Sequence, residues 1–564
     1  MTVTDRRWQL YPEQPLIAER ISEHLGISPL LAQVLLNRQI NSLTQARAFI
    51  TPRDQSFERL PDDILGAGLS LIYAAIQGQQ RIFVYGDYDV DGMTSTSMMV
   101  HALRKLGATV HYYLPHRFSD GYGLTTQVIP TLIHYNIDLL ITLDCGITNV
   151  QEIAAIKAET HAKIVVVDHH TIPEQVPMAD AIINPKYLDS GDSRSMMCTA
   201  GIVFHILAGL QEIFGCDLDV NDYLDLAAVG TVADVVPLVG ENRRLVASGL
   251  TDVASRRRVG IQKLLDVAGF ERPDVTTRDI GFVIAPRLNA AGRLDSAMKG
   301  VELLMSENSD HANELACILN KMNEDRQAIG QSMLQEAVNQ VGNDAETESV
   351  LVVNGKQWHA GVIGITASRL VEKFNRPVVI IADDGTMGRG SARTVGSVSI
   401  YELLKSCRHH FLKFGGHREA AGFSIPSEAI DAFKRELQAN AKALISGHDL
   451  LPLLKIDVKV RPDQLNLDLA ESLATLSPFG QGNPAPIFYC DGLRPVEFKR
   501  VGTGNHLKIT FVDRDGKRVI DAIGFGLGDK LNICMQPKIE VAFSLEINVW
   551  RGNRTAQLQL IDLR

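Results

Sequence analysis

Hydrophobic and polar positions change their rhythm several times along this chain. Between about residues 80 and 240, short apolar runs alternate with helix-like stretches. The runs 81–85, 139–143 and 163–167 are near-continuous apolar blocks bounded by polar residues, the pattern of strands buried on both faces of a parallel sheet. Their alternation with helical patterns, including a helix-like stretch at 222–229, predicts βαβ units. From 310 to 341 the apolar residues Leu315, Leu319, Met322, Ile329, Met333 and Ala337 recur at three- and four-residue steps or their sums. This predicts one amphipathic helix ending near Gly342, its apolar stripe packed into a core. A helix of about thirty residues exceeds the usual globular length and is expected to connect two bodies. Strand patterns resume at 349–353 and 377–382, predicting a second α/β domain that reaches about 447. In the last hundred residues, alternating runs at 507–512, 519–525, 539–545 and 556–561 lie between Gly, Asp and Asn turns, predicting a small all-β barrel.

Length and composition narrow the picture. A chain of 564 residues exceeds what one core supports, so roughly three or four domains are expected. With 45% hydrophobic and 22% charged residues, the composition is that of a soluble globular protein. The N-terminal residues lead into no signal-like apolar core and no run is long enough to span a bilayer, so no membrane association and a cytoplasmic location are expected. The seven cysteines are scattered without a C-x-x-C pair, which argues against a disulfide framework or a cysteine-bound structural zinc. The net charge of −10 is unevenly distributed: residues 451–564 carry 15 Lys and Arg against 13 Asp and Glu, and the first 450 residues carry −12. An acidic body that gathers cations and a slightly basic tail that meets an anionic polymer would produce this division. The run Arg256-Arg257-Arg258 is expected to be a solvated face.

Chemistry concentrates at the strand ends. Gly86-Asp87-Tyr88-Asp89-Val90-Asp91-Gly92, Leu143-Asp144-Cys145-Gly146 and Val167-Asp168-His169-His170 each follow one of the apolar runs. In open α/β sheets ligands bind beyond the carboxyl ends of the strands, so these clusters should converge on one crevice. Asp234, after the helix-like stretch, sits among apolar neighbours and joins them. Asp87, Asp89 and Asp91 occupy alternate positions and would share one face of an extended segment. A calcium loop of the EF-hand type would need a glutamate at its twelfth position, where the chain has Met98, so that reading fails. Four or five carboxylates with at least one histidine suit two hard divalent cations, Mn²⁺ or Mg²⁺, and hence phosphoryl chemistry.

In order and number these motifs resemble those of the DHH phosphoesterase superfamily, in its RecJ-type branch of bacterial single-strand-specific exonucleases. Thr142-Leu143-Asp144-Cys145-Gly146, Asp168-His169-His170 and Gly230-Thr231-Val232-Ala233-Asp234-Val235-Val236-Pro237 carry the superfamily pattern. The branch pattern is carried by Arg117-Phe118-Ser119-Asp120-Gly121-Tyr122-Gly123, Pro286-Arg287-Leu288-Asn289-Ala290-Ala291-Gly292-Arg293, Trp358-His359-Ala360-Gly361-Val362-Ile363-Gly364, Gly415-Gly416-His417 and Ala420-Ala421-Gly422. The resemblance implies Asp89, Asp91, Asp144, His169 and Asp234 as metal ligands, with Asp144 bridging two ions. It puts Asp87 and His170 in the same motifs, as ligands, holders of water or leaving-group catalysts, and Asp168 as the residue that orients a histidine. It further implies a 5′-terminal pocket shaped by Arg117 and Tyr122, and phosphate contacts from Arg293, Ser391 and Arg393. The arginines are expected in glycine-rich or polar loops. His417, flanked by glycines that permit close backbone approach, would contact the scissile phosphate.

The expected fold is therefore α/β: an N-terminal segment 1–60, a DHH-type parallel-sheet domain 61–308, a connecting helix 309–342, a DHHA1-type α/β domain 343–447 and an oligonucleotide-binding (OB) barrel 448–564. The resemblance implies a single-stranded-DNA exonuclease working from the 5′ end, releasing 5′-mononucleotides with two cations per site and serving repair and recombination. It also suggests a single-strand-binding protein and a helicase as partners; a monomer is the default. A DHH phosphodiesterase for short oligonucleotides or nucleotides would lack the tail, and a non-catalytic DNA-binding scaffold would have lost ligands.

Overall fold

The computed structural model describes residues 6–564 apart from 118, 119, 122, 343, 446–449, 451, 537 and 551, and of residues 216, 344, 346 and 550 the backbone alone. Contacts divide the chain into two compact units, each assembled from separated stretches: Ser42–Glu324 with Thr475–Ala485, and Met1–Asn41 with Asp325–Ala474 and Pro486–Arg564.

The first of these units is built on a five-stranded sheet. Its strand order is Thr109–Tyr113, Arg81–Gly86, Leu139–Leu143, Lys163–Val167, Ala181–Ile183, and every pairing is parallel. The three apolar runs are thus the three inner strands. Leu139–Leu143 is buried throughout, as a strand covered on both faces must be. One face packs on helices Asp62–Gln77, Val90–Lys105 and Thr199–Phe214 through Val84, Ile141, Val165, Met98 and Ile206. The other face is covered by Leu132, Ile153 and Ile156. Residues 475–485 fold into the same unit, held by the buried Arg243. Its guanidinium lies 3.8 Å over the Phe49 ring and donates to the carbonyls of Phe49, Leu476, Ser477 and Pro478 at 2.8–3.1 Å.

The long helix is Ser309–Val341, 33 residues, and crosses from one unit to the other. In the second unit a five-stranded sheet has the order Lys413–Gly416, Ala420–Pro426, Met387–Arg393, Val378–Asp383, Leu351–Lys356. Helices Ile363–Phe374 and Ile430–Leu444 accompany it. The C-terminal region is a seven-stranded, mostly antiparallel sheet whose longest hairpin pairs Val541–Trp550 with Asn553–Leu563. It is not purely β, since helix Leu467–Ala474 and the 3₁₀ helix Gly528–Met535 belong to the same stretch. Among the described residues no helix is long and apolar enough to cross a membrane.

The triple arginine run is not a solvated face. Arg258 pairs with Asp225, Nε to Oδ2 at 2.6 Å, and Arg256 caps helix Gly240–Ser255 while donating to the Phe270 carbonyl. Arg257 alone is exposed.

Candidate functional site

Each inner strand ends by delivering an acid. The parallel ladder continues one step past the strands: the amides of Asp87, Asp144 and Asp168 donate to the carbonyls of Leu143, Val167 and Ile183 at 3.2, 3.0 and 3.1 Å. Backbone pairing therefore sets all three carboxylates in a row at one edge of the sheet. Asp144 has φ +63°, a left-handed conformation that costs a non-glycine residue about 1–2 kcal/mol. Gly146 follows at φ +115°, and a Cβ there would lie 2.6 Å from Thr142 Oγ1. The turn is thus shaped to aim one carboxylate.

The acidic triplet does not stay extended. The strand ends at Gly86 and a helix begins at Val90, so Asp89 is its N-cap, accepting from the Gly92 amide at 3.1 Å, and Asp91 lies in the first turn. The three acids consequently diverge into two groups instead of sharing a face: Asp87 and Asp89 with Asp144, and Asp91 with His169 and Asp234. Asp144 also groups with His169 and His170. Asp234 caps helix Leu224–Ala233, and the next residue, Val235, has φ +60°, a genuine outlier for a β-branched side chain.

The electrostatics follow from burial. Asp87, Asp91 and Asp144 are at most 3% exposed. Burial, then the charge of Asp89, raises the Asp87 carboxyl well above its usual value. Burial, then Asp91, Asp89, Asp87 and Asp234, raises Asp144. The same causes put Asp91 at about 6 and Asp234 at about 9. His169 is pushed down to about 3, by burial and by the positive charge of His170. Its Nε2 lies 3.2 Å from Asp144 Oδ1, 3.6 Å from Asp234 Oδ2 and 3.9 Å from Asp91 Oδ2, yet it makes no hydrogen bond, and neither does the buried Asp87 Oδ1. Buried polar atoms are ordinarily paired. Crowded, unpartnered oxygen and imidazole donors fit divalent cations, which would neutralise the mutual repulsion and fill the missing valences.

Asp168 serves the neighbouring histidine. Its Oδ1 takes His170 Nδ1 at 2.7 Å and the His170 amide at 3.1 Å, and its Oδ2 accepts from the Ile147 amide at 3.0 Å. Burial opposes its ionisation, but the hydrogen bond and charge of His170 outweigh it and hold the carboxyl below its usual value. Burial likewise lowers His170, and the Asp168 bond and charge override it, so the imidazole rises to about 9.

Three contributors were not legible in the sequence. The amides of Thr199 and Ala200, opening helix Thr199–Phe214, donate to the two oxygens of Asp91 at 2.7 and 2.8 Å, and Thr199 Oγ1 donates to Asp144 Oδ1 at 3.3 Å. A carboxylate at a helix N-terminus is stabilised by the free amides and the dipole. Lys186 adds positive charge near Asp234. The run Cys198-Thr199-Ala200 bears no charge, so only a helix start would have pointed to it.

The remaining candidates are distributed over both units. In the first, Arg117 lies 4.4 Å over the Tyr88 ring, next to Asp87 and Asp89 in sequence, while Tyr122 lies outside the described residues. Arg293 is in the last turn of helix Ala285–Leu294, not in a loop. In the second, Arg393 ends the strand Met387–Arg393 and is also not in a loop. Its Nη1 donates to Ser391 Oγ at 3.2 Å, and the absent side chain of Gly364 makes room, since a Cβ there would be 3.0 Å from Arg393 Nη2. Ala420 pairs with Arg393 across the sheet and accepts from the His417 amide at 2.8 Å, so Ser391, Arg393 and the His417 turn share one end of that sheet. His417 is exposed.

Comparison with known proteins gives the same order of parts. Three family models match: DHH family, N-terminal domain, over residues 81–231; DHHA1 domain over 347–443; and RecJ OB domain over 456–562. The single-stranded-DNA-specific exonuclease RecJ of Haemophilus influenzae is 36% identical, over 89% of this chain and 91% of its own. The Bacillus subtilis protein of the same name is 32% identical, over 100% of this chain and 71% of its own. The crystal structure of RecJ from Thermus thermophilus in complex with Mn²⁺ superposes with a TM-score of 0.86 at 32% identity, covering 99% of this chain and 79% of that one. With three domain models in this order and relatives of 32–36% identity over most of both chains, the chain belongs to the RecJ family of single-stranded-DNA-specific exonucleases.

Proposed function

We propose that this protein hydrolyses single-stranded DNA from its 5′ end and releases 5′-mononucleotides, using two divalent cations, Mn²⁺ or Mg²⁺. The observation that carries the reading is the convergence of Asp87, Asp89, Asp91, Asp144, His169 and Asp234 with donor atoms left unpartnered. Asp89, Asp91, Asp144, His169 and Asp234 would hold the cations, and Asp144, which groups with Asp87 and Asp89 and also with His169 and His170, would be shared between them. Bound there, the cations supply Lewis-acid charge neutralisation at the phosphate and an acidic water.

The side chains supply position and protons. Arg117 binds the 5′-terminal phosphate together with Tyr122, a charge-assisted contact. Arg293, Ser391, Arg393 and His417 grip phosphates of the strand, and Asp87 tunes the water on the nearby carboxylates. Water adds to the phosphorus between the first and second nucleotides and the P–O3′ bond opens in line. His170, fixed through Nδ1 by Asp168, would give its Nε2 proton to the departing O3′.

Residues 61–308 are the catalytic domain in this reading, behind the segment 1–60. Residues 309–342 connect it to 343–447, and 448–564 track the strand through basic and aromatic contacts. The protein acts as a monomer in the cytoplasm, in repair and recombination, on strands delivered by a single-strand-binding protein and a helicase.

Digestion of single strands and duplexes labelled at either end, in Mn²⁺, Mg²⁺ or chelator, tests the reading. Labelled mononucleotide should appear at once from the 5′-labelled single strand, and the duplex and the chelator reaction should stay intact. Release from the 3′ end, equal attack on duplex, or activity in chelator would overturn it.

A further inference from the structure

One more group of side chains among the described residues brings metal-ligating atoms together outside the carboxylate crevice: His409, His410 and Glu436. The histidines lie in the 3₁₀ turn Arg408–His410, and Glu436 lies on helix Ile430–Leu444. Successive residues of a 3₁₀ turn project about 120° apart. Here both rings nevertheless turn onto one carboxylate oxygen, with Nε2 of His409 at 3.2 Å and Nε2 of His410 at 2.9 Å from Glu436 Oε2. The ring centroids are 4.2 Å apart and the planes inclined by 38°. Two donors bound at about 2.0–2.1 Å to one tetrahedral ion stand about 3.3 Å from each other, so the His410–Glu436 hydrogen bond and the His409–Glu436 contact need open by only a few tenths of an ångström for these atoms to share an ion.

The setting suits such an ion. The His410 side chain is only 14% exposed and its ring meets Phe433 edge-on, while His409 is 63% exposed. The group thus has an apolar floor and an open side, which supplies an entry path and room for a water as fourth ligand. The donor chemistry is also unlike that of the crevice. Two imidazoles and one carboxylate favour Zn²⁺ and the late first-row divalent ions, whereas Mg²⁺ takes oxygen ligands and keeps its water.

We propose that His409, His410 and Glu436 form a second metal site, selective for Zn²⁺ over Mg²⁺ and Mn²⁺. The ion ties the turn Arg408–His410 to helix Ile430–Leu444. That turn leads into the strand Lys413–Gly416, whose far end is followed by His417, so the ion braces the strand that presents His417.

Equilibrium dialysis of the metal-stripped full chain against Zn²⁺, in excess Mg²⁺ to occupy the carboxylate crevice, tests the site. The parent should retain one more Zn²⁺ per chain than either His409→Asn or Glu436→Gln, with affinity at this site falling at least about tenfold, because loss of a ligand should exceed the loss caused by outer-shell changes. Zn²⁺ should raise the melting temperature of the parent more than that of His409→Asn. Co²⁺ should give tetrahedral visible bands in the parent that His409→Asn lacks. Because His409 is mostly exposed, its replacement should leave the fold and the Mn²⁺-dependent nuclease of the Zn²⁺-free chain intact. Equal Zn²⁺ retention and equal Co²⁺ spectra in parent and His409→Asn would overturn the site. So would Zn²⁺ binding that disappears in Asp144→Asn and survives in His409→Asn.

Discussion

Asp144 pays twice for its position, once in a left-handed backbone angle and once in burial beside like charges. Asp144→Asn relieves the second cost and forfeits what the charge is for. Turnover should fall on the order of a thousandfold or more, since metal-borne stabilisation amounts to several kcal/mol, while single-strand binding stays measurable by titration. A carboxyl whose folded pKa is raised contributes stability below its unfolded value, about 3.9, and loses it as pH rises through the folded value. The metal-free parent should therefore melt at lower temperature as pH rises, and metal-free Asp144→Asn should melt higher than the parent at pH 8. Turnover within a few-fold of the parent would sink the ligand assignment. His170 shows the same direction with pH for a different reason, because here the charged form is the one the fold favours. Its imidazole is raised to about 9, so its stabilisation is complete below the unfolded value, about 6.5, and fades as pH rises through about 9. An NMR titration should give a His170 midpoint well above that of an exposed histidine, and Asp168→Asn should bring it down. The acids and histidines were legible because charge directly after an apolar run is conspicuous. The Thr199 and Ala200 amides that clamp Asp91 were not, since a backbone donor has no side-chain signature.

The elements behind the site are packed without slack, and Gly230 is one of the places where this shows. A Cβ at Gly230 would lie 2.5 Å from both Ala200 Cβ and Thr94 Oγ1 and 3.1 Å from Asp91 Oδ1, so the glycine lets helix Leu224–Ala233 approach the other two helices that carry the site. Gly230→Ala should cost about 1–3 kcal/mol as overpacking. It should also lower kcat by at least about tenfold, because displacement by a fraction of an ångström disturbs Asp91 and Asp234 together. Thermal melts and kinetics on one preparation check both effects, and a stable, fully active variant would show that the helices yield freely. Legibility at this scale followed apolar content. The strands Arg81–Gly86, Leu139–Leu143 and Lys163–Val167 were readable as unbroken apolar runs, and Ser309–Val341 through its periodicity. Met387–Arg393 and Lys413–Gly416 were not. Their glycines leave room for a partner in place of a side chain of their own: a Cβ on Gly390 would lie 2.1 Å from the Phe423 ring. Such strands have no periodicity to detect.

Across the whole molecule, the basic surplus of the tail has a structural counterpart in the C-terminal sheet. Lys499 and Lys508 are exposed and stand directly opposite each other on paired strands, an arrangement that is unfavourable until an anion neutralises it. Replacing both with Gln should weaken binding to long single strands and reduce the slope of log K against log salt by about 1.4, at about 0.7 per single-strand phosphate contact. Cleavage of very short oligonucleotides should change little. An unaltered slope would remove this face from the DNA path. The stretch Thr475–Ala485, strapped by Arg243 into the unit of Ser42–Glu324, has a consequence for biosynthesis. A ribosome must make all of Asp325–Ala474 before that strap exists, a delay of roughly 8–30 s at about 5–20 residues per second. Until then Arg243 has no 476–478 carbonyls to bind, so the nuclease unit emerges unfinished and closes late. Nascent chains arrested near residue 440 should be cut by protease within 42–324 faster than chains arrested after residue 485 has cleared the exit tunnel; equal rates would mean that the unit closes without its strap. Late closure would keep a DNA-degrading enzyme idle during most of its own synthesis.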